Sequence, residues 1–233
     1  MSARLLPPAI VAVGLAACAP VGTQTFSTTP APQYQIENEQ TVSAPSDATW
    51  DRLVRQLSKG FYVINNIDKA SRLINFSFSS DAPQDYVDCG TTHRTFDKGD
   101  EHEKYDYQVA QSAAFKMGEK RGNLIYTWFL NRTTSLEGRA NVYVAPKDSA
   151  STTVSVNVRY ILTVNVTGSY QTESLIGVQG ASGPMTNPQS VTASFSTTEP
   201  HSTNIGTPDN PQYVTCASRG TLEREILSFA KGN

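Results

Sequence analysis

The residues of this 233-residue chain whose types could do chemistry are few: three cysteines, three histidines and a handful of serines near glycine or lysine. Ser228-Phe229-Ala230-Lys231 has the Ser-x-x-Lys spacing with which some acyl-enzymes place an amine beside a nucleophilic hydroxyl. It lies at the end of the chain without companion motifs, and a lysine there suits the negative end of a helix dipole. Gly180-Ala181-Ser182-Gly183 is one residue short of a Gly-x-Ser-x-Gly elbow and reads as a loop. His102-Glu103 sits among Asp97, Asp100, Glu101 and Asp106, but at neither the His-Glu-x-x-His zinc spacing nor a calcium-loop spacing. His93 and His201 have no partners in sequence. No glycine loop follows a strand to cradle a phosphate. The sequence therefore nominates no catalytic residue, no metal ligand and no cofactor site.

The cysteines say more. Cys18 closes a segment with one charge at Arg4, an apolar run from Leu5 to Gly14, and small residues before the cysteine. That run is too short to span about 30 Å of hydrocarbon, and its order of charge, apolar core and small residues describes an export signal. Leu15-Ala16-Ala17-Cys18 resembles the lipobox of bacterial lipoproteins. The resemblance implies cleavage before Cys18, acylation of that cysteine and a mature chain tethered by its lipid. Ala19, in place of the aspartate that retains such proteins at the inner membrane, implies sorting to the outer membrane, with the domain facing the periplasm. Two or more acyl chains hold a protein stably where one does not.

Cys89 and Cys216 remain, in the related strings Tyr86-Val87-Asp88-Cys89 and Tyr213-Val214-Thr215-Cys216. In an oxidising compartment two leftover cysteines are most simply a disulfide. The competing reading is a metal or catalytic thiol, since His93 follows Cys89 by four residues, but nothing else sits at zinc spacing.

A formal net charge of -2 and 17% charged residues give no basic surplus for nucleic acid and no acidic tail. The chain divides into a signal peptide (1–17), a linker poor in bulky apolar residues (18–45) and one domain (46–233). Within the domain, Trp50, Leu53, Val54 and Leu57 have helical spacing after a Ser46 or Asp47 cap, and Gly60 suits the helix end. Phe61–Ile67 and Leu73–Phe78 read as a hairpin joined by Asp68–Arg72. Residues 81–103 read as a long polar loop, and Tyr105–Ala110 as a short strand. Leu124–Leu130 reads as a covered strand, and Ala140, Val142 and Val144 alternate. Val154 to Val166 form an unbroken period-2 face that is core or cavity lining. Gly177–Gln189 and Glu199–Pro211 read as surface loops, Gln212–Cys216 as a strand, and Thr221–Lys231 as a second amphipathic helix with Glu223, Arg224 and Glu225 on its solvated side.

These elements predict an α+β fold: an antiparallel sheet packed by an N-terminal and a C-terminal helix. Thr49-Trp50 to Leu57, Gly60-Phe61-Tyr62-Val63, Asp68 and Leu73-Ile74-Asn75-Phe76 resemble the opening of helix-grip domains. Such domains occur in the accessory lipoprotein C of the outer-membrane β-barrel assembly machinery, and the resemblance implies a helix-grip sheet. The expected function is a non-enzymatic, lipid-anchored scaffold or accessory subunit of an outer-membrane assembly. It would have an envelope protein as partner, and Tyr170 and the Gly177–Gln189 loop would be contact candidates. The alternatives are a carrier of an apolar ligand lined by Val154–Val166, and a hydrolase whose groups meet only on folding. Oligomeric state is not legible.

Overall fold

The computed structural model describes residues 22–177, 179–205 and 212–232. Leu15–Cys18 lies outside the described residues. In chain order the elements are β1 (Thr23–Thr29), β2 (Glu39–Val42), α1 (Ser46–Leu57), β3 (Val63–Asp68), β4 (Leu73–Ser80), a 3-10 turn (Pro83–Asp85), β5 (Val87–Asp88), β6 (Thr91–Lys98) and β7 (Glu101–Gln108). They continue with β8 (Ala113–Arg121), β9 (Leu124–Pro146), β10 (Thr152–Ser174), β11 (Ser182–Pro184), β12 (Gln189–Ser196), β13 (His201–Asn204), β14 (Tyr213–Ser218) and α2 (Thr221–Lys231).

With 58% strand and 13% helix among the described residues, the fold is mostly antiparallel β-sheet, which corrects the expected α+β helix-grip packing. Both expected helices are present, but the strands around them are far more numerous than the sequence suggested. The difference lies in polar segments. Residues 91–108, read largely as a loop, form the β6–β7 hairpin in register from Thr91↔Gln108 to Lys98↔Glu101. Residues 23–29, assigned to the linker, pair with β6 along their whole length, and residues 39–42 pair with the start of β10. Such strands carry little apolar alternation because neither face is fully buried; cross-strand pairs and backbone bonds hold them instead.

The framework is the β9–β10 hairpin. Its strands have 23 residues each and pair without a break from Pro146↔Thr152 to Leu124↔Ser174. At 3.3 Å per residue this is up to about 75 Å of ladder. β9 is central: β8 pairs with its first half and β4 with its second. The other edge of β10 is taken in turn by β2, β12 and β11.

Even-numbered side chains of the hairpin from Leu136 to Val144 and from Val154 to Leu162 are buried. They share one core with Leu53 and Leu57 of α1 and Leu222, Ile226 and Leu227 of α2. Val154, Val156, Val158, Tyr160, Leu162 and Val164 are thus packed core residues rather than the lining of a ligand cavity. A second, smaller core gathers Tyr107, Phe115 and Leu130 near the other end, where the β6–β7 hairpin folds over β8. There Arg94 lies between the rings of Phe26 and Phe115, at 4.3 and 4.5 Å, and donates to the Tyr107 hydroxyl. Arg132 is buried nearby and donates to the carbonyls of Val109 and Gln111. Burial pulls its guanidinium down to about 10, so it remains charged at neutral pH.

The α1 start departs from the sequence reading: Pro45 precedes the helix and no side chain caps it, while Thr49 Oγ1 donates back to the Pro45 carbonyl. The helix ends at Ser58 rather than at Gly60.

Gly138 shows how closely the main core is filled. It pairs with Phe78, and a Cβ on it would stand 1.9 Å from the Phe78 ring. Gly138→Ala should therefore cost about 2–3 kcal/mol by overpacking, measured by denaturant unfolding. Phe78→Leu in the same chain should recover part of the loss, because the three nearest atoms to the added Cβ all belong to that ring.

Candidate functional site

Two clusters of buried polar groups join separate parts of the chain. In the first, Glu223 of α2 is fully buried. Its carboxylate accepts from Tyr160 Oη at 3.0 Å, Thr197 Oγ1 at 2.8 Å, and Ser218 Oγ at 3.1 and 3.3 Å. Burial, and then the adjacent carboxylate, push the Tyr160 phenol well above its ordinary value, which keeps it protonated as a donor. A carboxylate, two aliphatic hydroxyls and a phenol could serve acid–base chemistry if a substrate reached them. Here they sit inside the core, joining β10, the segment after β12, the end of β14 and α2.

The second centre surrounds the Cys89–Cys216 disulfide, which links residues 127 apart in sequence. Asp88, beside it, accepts from Tyr34 Oη at 2.6 Å, Gly90 N at 2.8 Å and Arg219 Nη2 at 3.0 Å. Arg219 also donates to Gln108. Burial, and then Asp88, raise the Tyr34 phenol. Gly90 has φ +86°, and a Cβ there would stand 2.1 Å from the Thr29 carbonyl, so the chain can turn from β5 into β6 only with glycine. The segment read as a linker is thus fastened to the body at Tyr34 as well as through β1 and β2.

The remaining sequence candidates are dispersed. Ser228 donates to the Glu225 carbonyl within α2, and Lys231 is in its last turn. His93 bonds Asp106 and Thr29, and His102 bonds Asp97, so both histidines are cross-strand partners in the outer sheet. His201 lies on β13 opposite Cys216. Among the described residues no group of three or more His, Cys, Asp or Glu side chains is arranged to hold a metal ion. No helix among them is long and apolar enough to cross a membrane.

Two surfaces were not legible in the sequence. Asn66, Asn75, Asn141 and Asn157 align across β3, β4, β9 and β10 on the outward face. Asn75 donates to Asn141 at 2.5 Å, and Asn38 donates to Asn157 at 3.0 Å, so amides run in a row across the sheet. Near the row, a shallow groove of about 250 Å³ lies between fully exposed Phe61, Val63, Arg139 and Ile161.

The second surface is the end of the β9–β10 hairpin away from the helices. Tyr126 and Trp128 stack with centroids 5.8 Å apart, and Tyr170 stands 5.4 and 5.3 Å from them. Arg121 lies over Tyr126 and Trp128, and Glu119 accepts from both Arg121 Nε and Trp128 Nε1. Beyond this aromatic cluster the two chain reversals at the tip are joined by Leu175 N donating to the Asn123 carbonyl. Ile176 projects there, 65% exposed. Tyr170, expected as a loop contact, is instead a strand residue, and part of the expected Gly177–Gln189 loop forms β11 beside it.

Comparison with protein-family models, curated proteins and solved structures finds no match to this chain.

Glu223→Ala should cost about 3–5 kcal/mol, because three buried hydroxyls lose their acceptor, whereas Tyr160→Phe should cost about 2. Denaturant unfolding of both variants measures this. The exposed His93–Asp106–Lys104 group gives a separate prediction. Asp106 has its carboxyl held below the ordinary range, first by the His93 hydrogen bond and then by that of Lys104. A depressed folded value means that its stabilisation is present above the unfolded pKa and is lost as pH falls through the folded one. Carboxyl NMR should show the low midpoint, and His93→Ala should move it upward.

Proposed function

We propose that the protein is a non-enzymatic, lipid-anchored envelope protein that acts as a scaffold or accessory subunit of an outer-membrane assembly. The observation that carries this reading is where the chain enters the fold. Gly22, only four residues after Cys18 in sequence, is packed against Gly118, and the β1 pairing begins at Thr23. An acyl group on that cysteine would hold a rigid β body at the bilayer rather than the end of a long flexible tail. The two polar centres described above support a structural role for the polar interior, since Glu223 and Asp88 each accept bonds from several parts of the chain. The outward polar sheet and the exposed groove at Phe61 then offer surface to a protein partner.

The carrier alternative draws no support from the Val154–Val164 face, which is occupied by the core of the protein itself. The exposed groove beside Phe61, Val63, Arg139 and Ile161 is the feature that favours a partner-binding body.

Intact mass of the protein from native membranes, with and without reductant and alkylation, tests the anchor. The expected mass corresponds to cleavage before Cys18 plus three acyl chains, with Cys89 and Cys216 alkylated only after reduction. Ala19→Asp should move the protein to the inner-membrane fraction, as the lipoprotein resemblance implies. An unacylated, uncleaved mass would remove the reading, and cross-linking of the acylated protein in intact cells would identify its partner.

A further inference from the structure

The start of the described chain and the aromatic tip lie at the same end of the molecule. A Cβ on Gly118 would stand 2.7 Å from the Gly22 carbonyl, so the entering chain touches β8 at that point. Gly118 is three residues before Arg121 at the end of β8, about 10 Å along the strand. Thr23 pairs with Asp97 beside the β6–β7 turn. Lys98, at that same turn, bonds Thr127 of β9 and Glu173 near the end of β10. Four chain segments therefore converge at the end opposite the helices: the entry at Gly22, the β6–β7 turn, the β8–β9 turn and the end of β10. From Cys18 to Gly22 the chain spans at most about 14 Å when fully extended.

Any bilayer holding Cys18 must then lie close to this end. Its composition matches that neighbour. Ile176 projects from the tip, with Leu175 and Leu124 beside it, both half-buried. Tyr126 and Trp128 stand two and four residues back from Leu124, about 7 and 13 Å along β9, with Tyr170 on the adjoining strand. Apolar side chains at the point and Tyr and Trp behind them are the arrangement that partitions into the headgroup boundary. At this end Lys98, Lys120 and Arg121 are positive and Asp97, Asp100, Glu101, Glu119 and Glu173 negative, with Lys98 paired to Glu173 and Arg121 to Glu119, so the attraction is apolar and aromatic rather than electrostatic. Such a contact is weak alone. A four-residue tether makes it intramolecular, and the resulting high effective concentration lets a weak contact be occupied.

We infer that the tip formed by the Arg121–Leu124 and Leu175–Gly177 turns, backed by Tyr126, Trp128 and Tyr170, docks into the lipid surface that holds Cys18. The inference rests on the proposed lipid anchor. It fixes orientation: the β9–β10 hairpin stands off the bilayer and carries α1, α2 and the polar sheet face up to about 70 Å from it, toward a partner in the aqueous layer.

The test uses the full acylated protein reconstituted into vesicles of phosphatidylethanolamine and phosphatidylglycerol, some containing lipids brominated high on the acyl chain. Flotation first establishes attachment. Quenching of tryptophan emission then reports the tip, since Trp50 is buried at the helix end and Trp128 is at the tip. The expected results are quenching in the wild type, its loss in Trp128→Phe, and a marked reduction in Ile176→Asp, which still floats. Ile176 is surface-exposed, so that variant should fold normally, with unchanged thermal unfolding. Attachment without any quenching, or quenching indifferent to Ile176→Asp, overturns tip docking while leaving the anchor in place. An unacylated protein that fails to float removes the anchor and the inference together. A photocrosslinker at position 176 that captures a protein in cells, rather than lipid, assigns the tip to a protein partner and overturns the docking to lipid.

Discussion

The unbroken pairing of β9 with β10 is the constraint on which the rest of the structure depends. Both strands keep one register for 23 residues, so side-chain direction is set along the whole hairpin by a single choice. A slip of one residue would turn every buried even-numbered side chain from Leu136 to Val144 and from Val154 to Leu162 out to solvent. The apolar face between those limits accepts the two helices, and the opposite face carries Asn141, Asn157, Arg139 and Arg159. β4, β8, β2, β12 and β11 then attach to edges whose register is already fixed.

Closure of the body comes from polar groups and one covalent bond placed where separate segments meet. Glu223 gathers hydroxyls from three other parts of the chain, and an enclosed carboxylate is tolerable only because several donors converge on it. Asp88 does the same for Tyr34, Gly90 and Arg219 beside the disulfide. The bridge closes a loop separated by 127 residues, and in the chain-entropy picture such closure stabilises by about 4–5 kcal/mol, acting on the unfolded chain. Together these contacts hold the N-terminal segment, the outer sheet and α2 on one framework, which makes the place of chain entry a fixed feature of the molecule.

That fixed entry is what connects the fold to the proposed role. A lipid on a long flexible linker would leave a domain free to tumble near a membrane. In the proposed role, a lipid on Cys18, five residues before the first paired residue Thr23, would restrict both height and orientation and bring the Tyr126–Trp128–Tyr170 end toward the bilayer. The helices and the row of asparagines are then carried outward. In that role such a body would act by position, holding one surface at a set distance from a membrane, with its polar interior serving rigidity.

What the sequence determined by itself was what local pattern encodes. The apolar spacing in Ser46–Leu57 and Thr221–Lys231 specified both helices, and the alternation from Val154 to Val166 specified the inner part of β10, because burying one face needs that period whatever lies opposite. The two cysteines left after Cys18 pointed to the disulfide by count and compartment. Tertiary structure alone decided the rest. β1, β6 and the first half of β7 are polar strands held by cross-strand pairing rather than by a buried apolar face, so their composition resembled loop or linker, and the α+β expectation followed from missing them. The asparagine row exists only through the register of four strands, and Glu223 looked like an ordinary solvated helix residue until β10, β14 and the segment after β12 closed over it. Tyr126, Trp128 and Tyr170 carry no motif. They become one surface because two antiparallel strands bring residues more than forty positions apart side by side, at the end where the chain enters the fold.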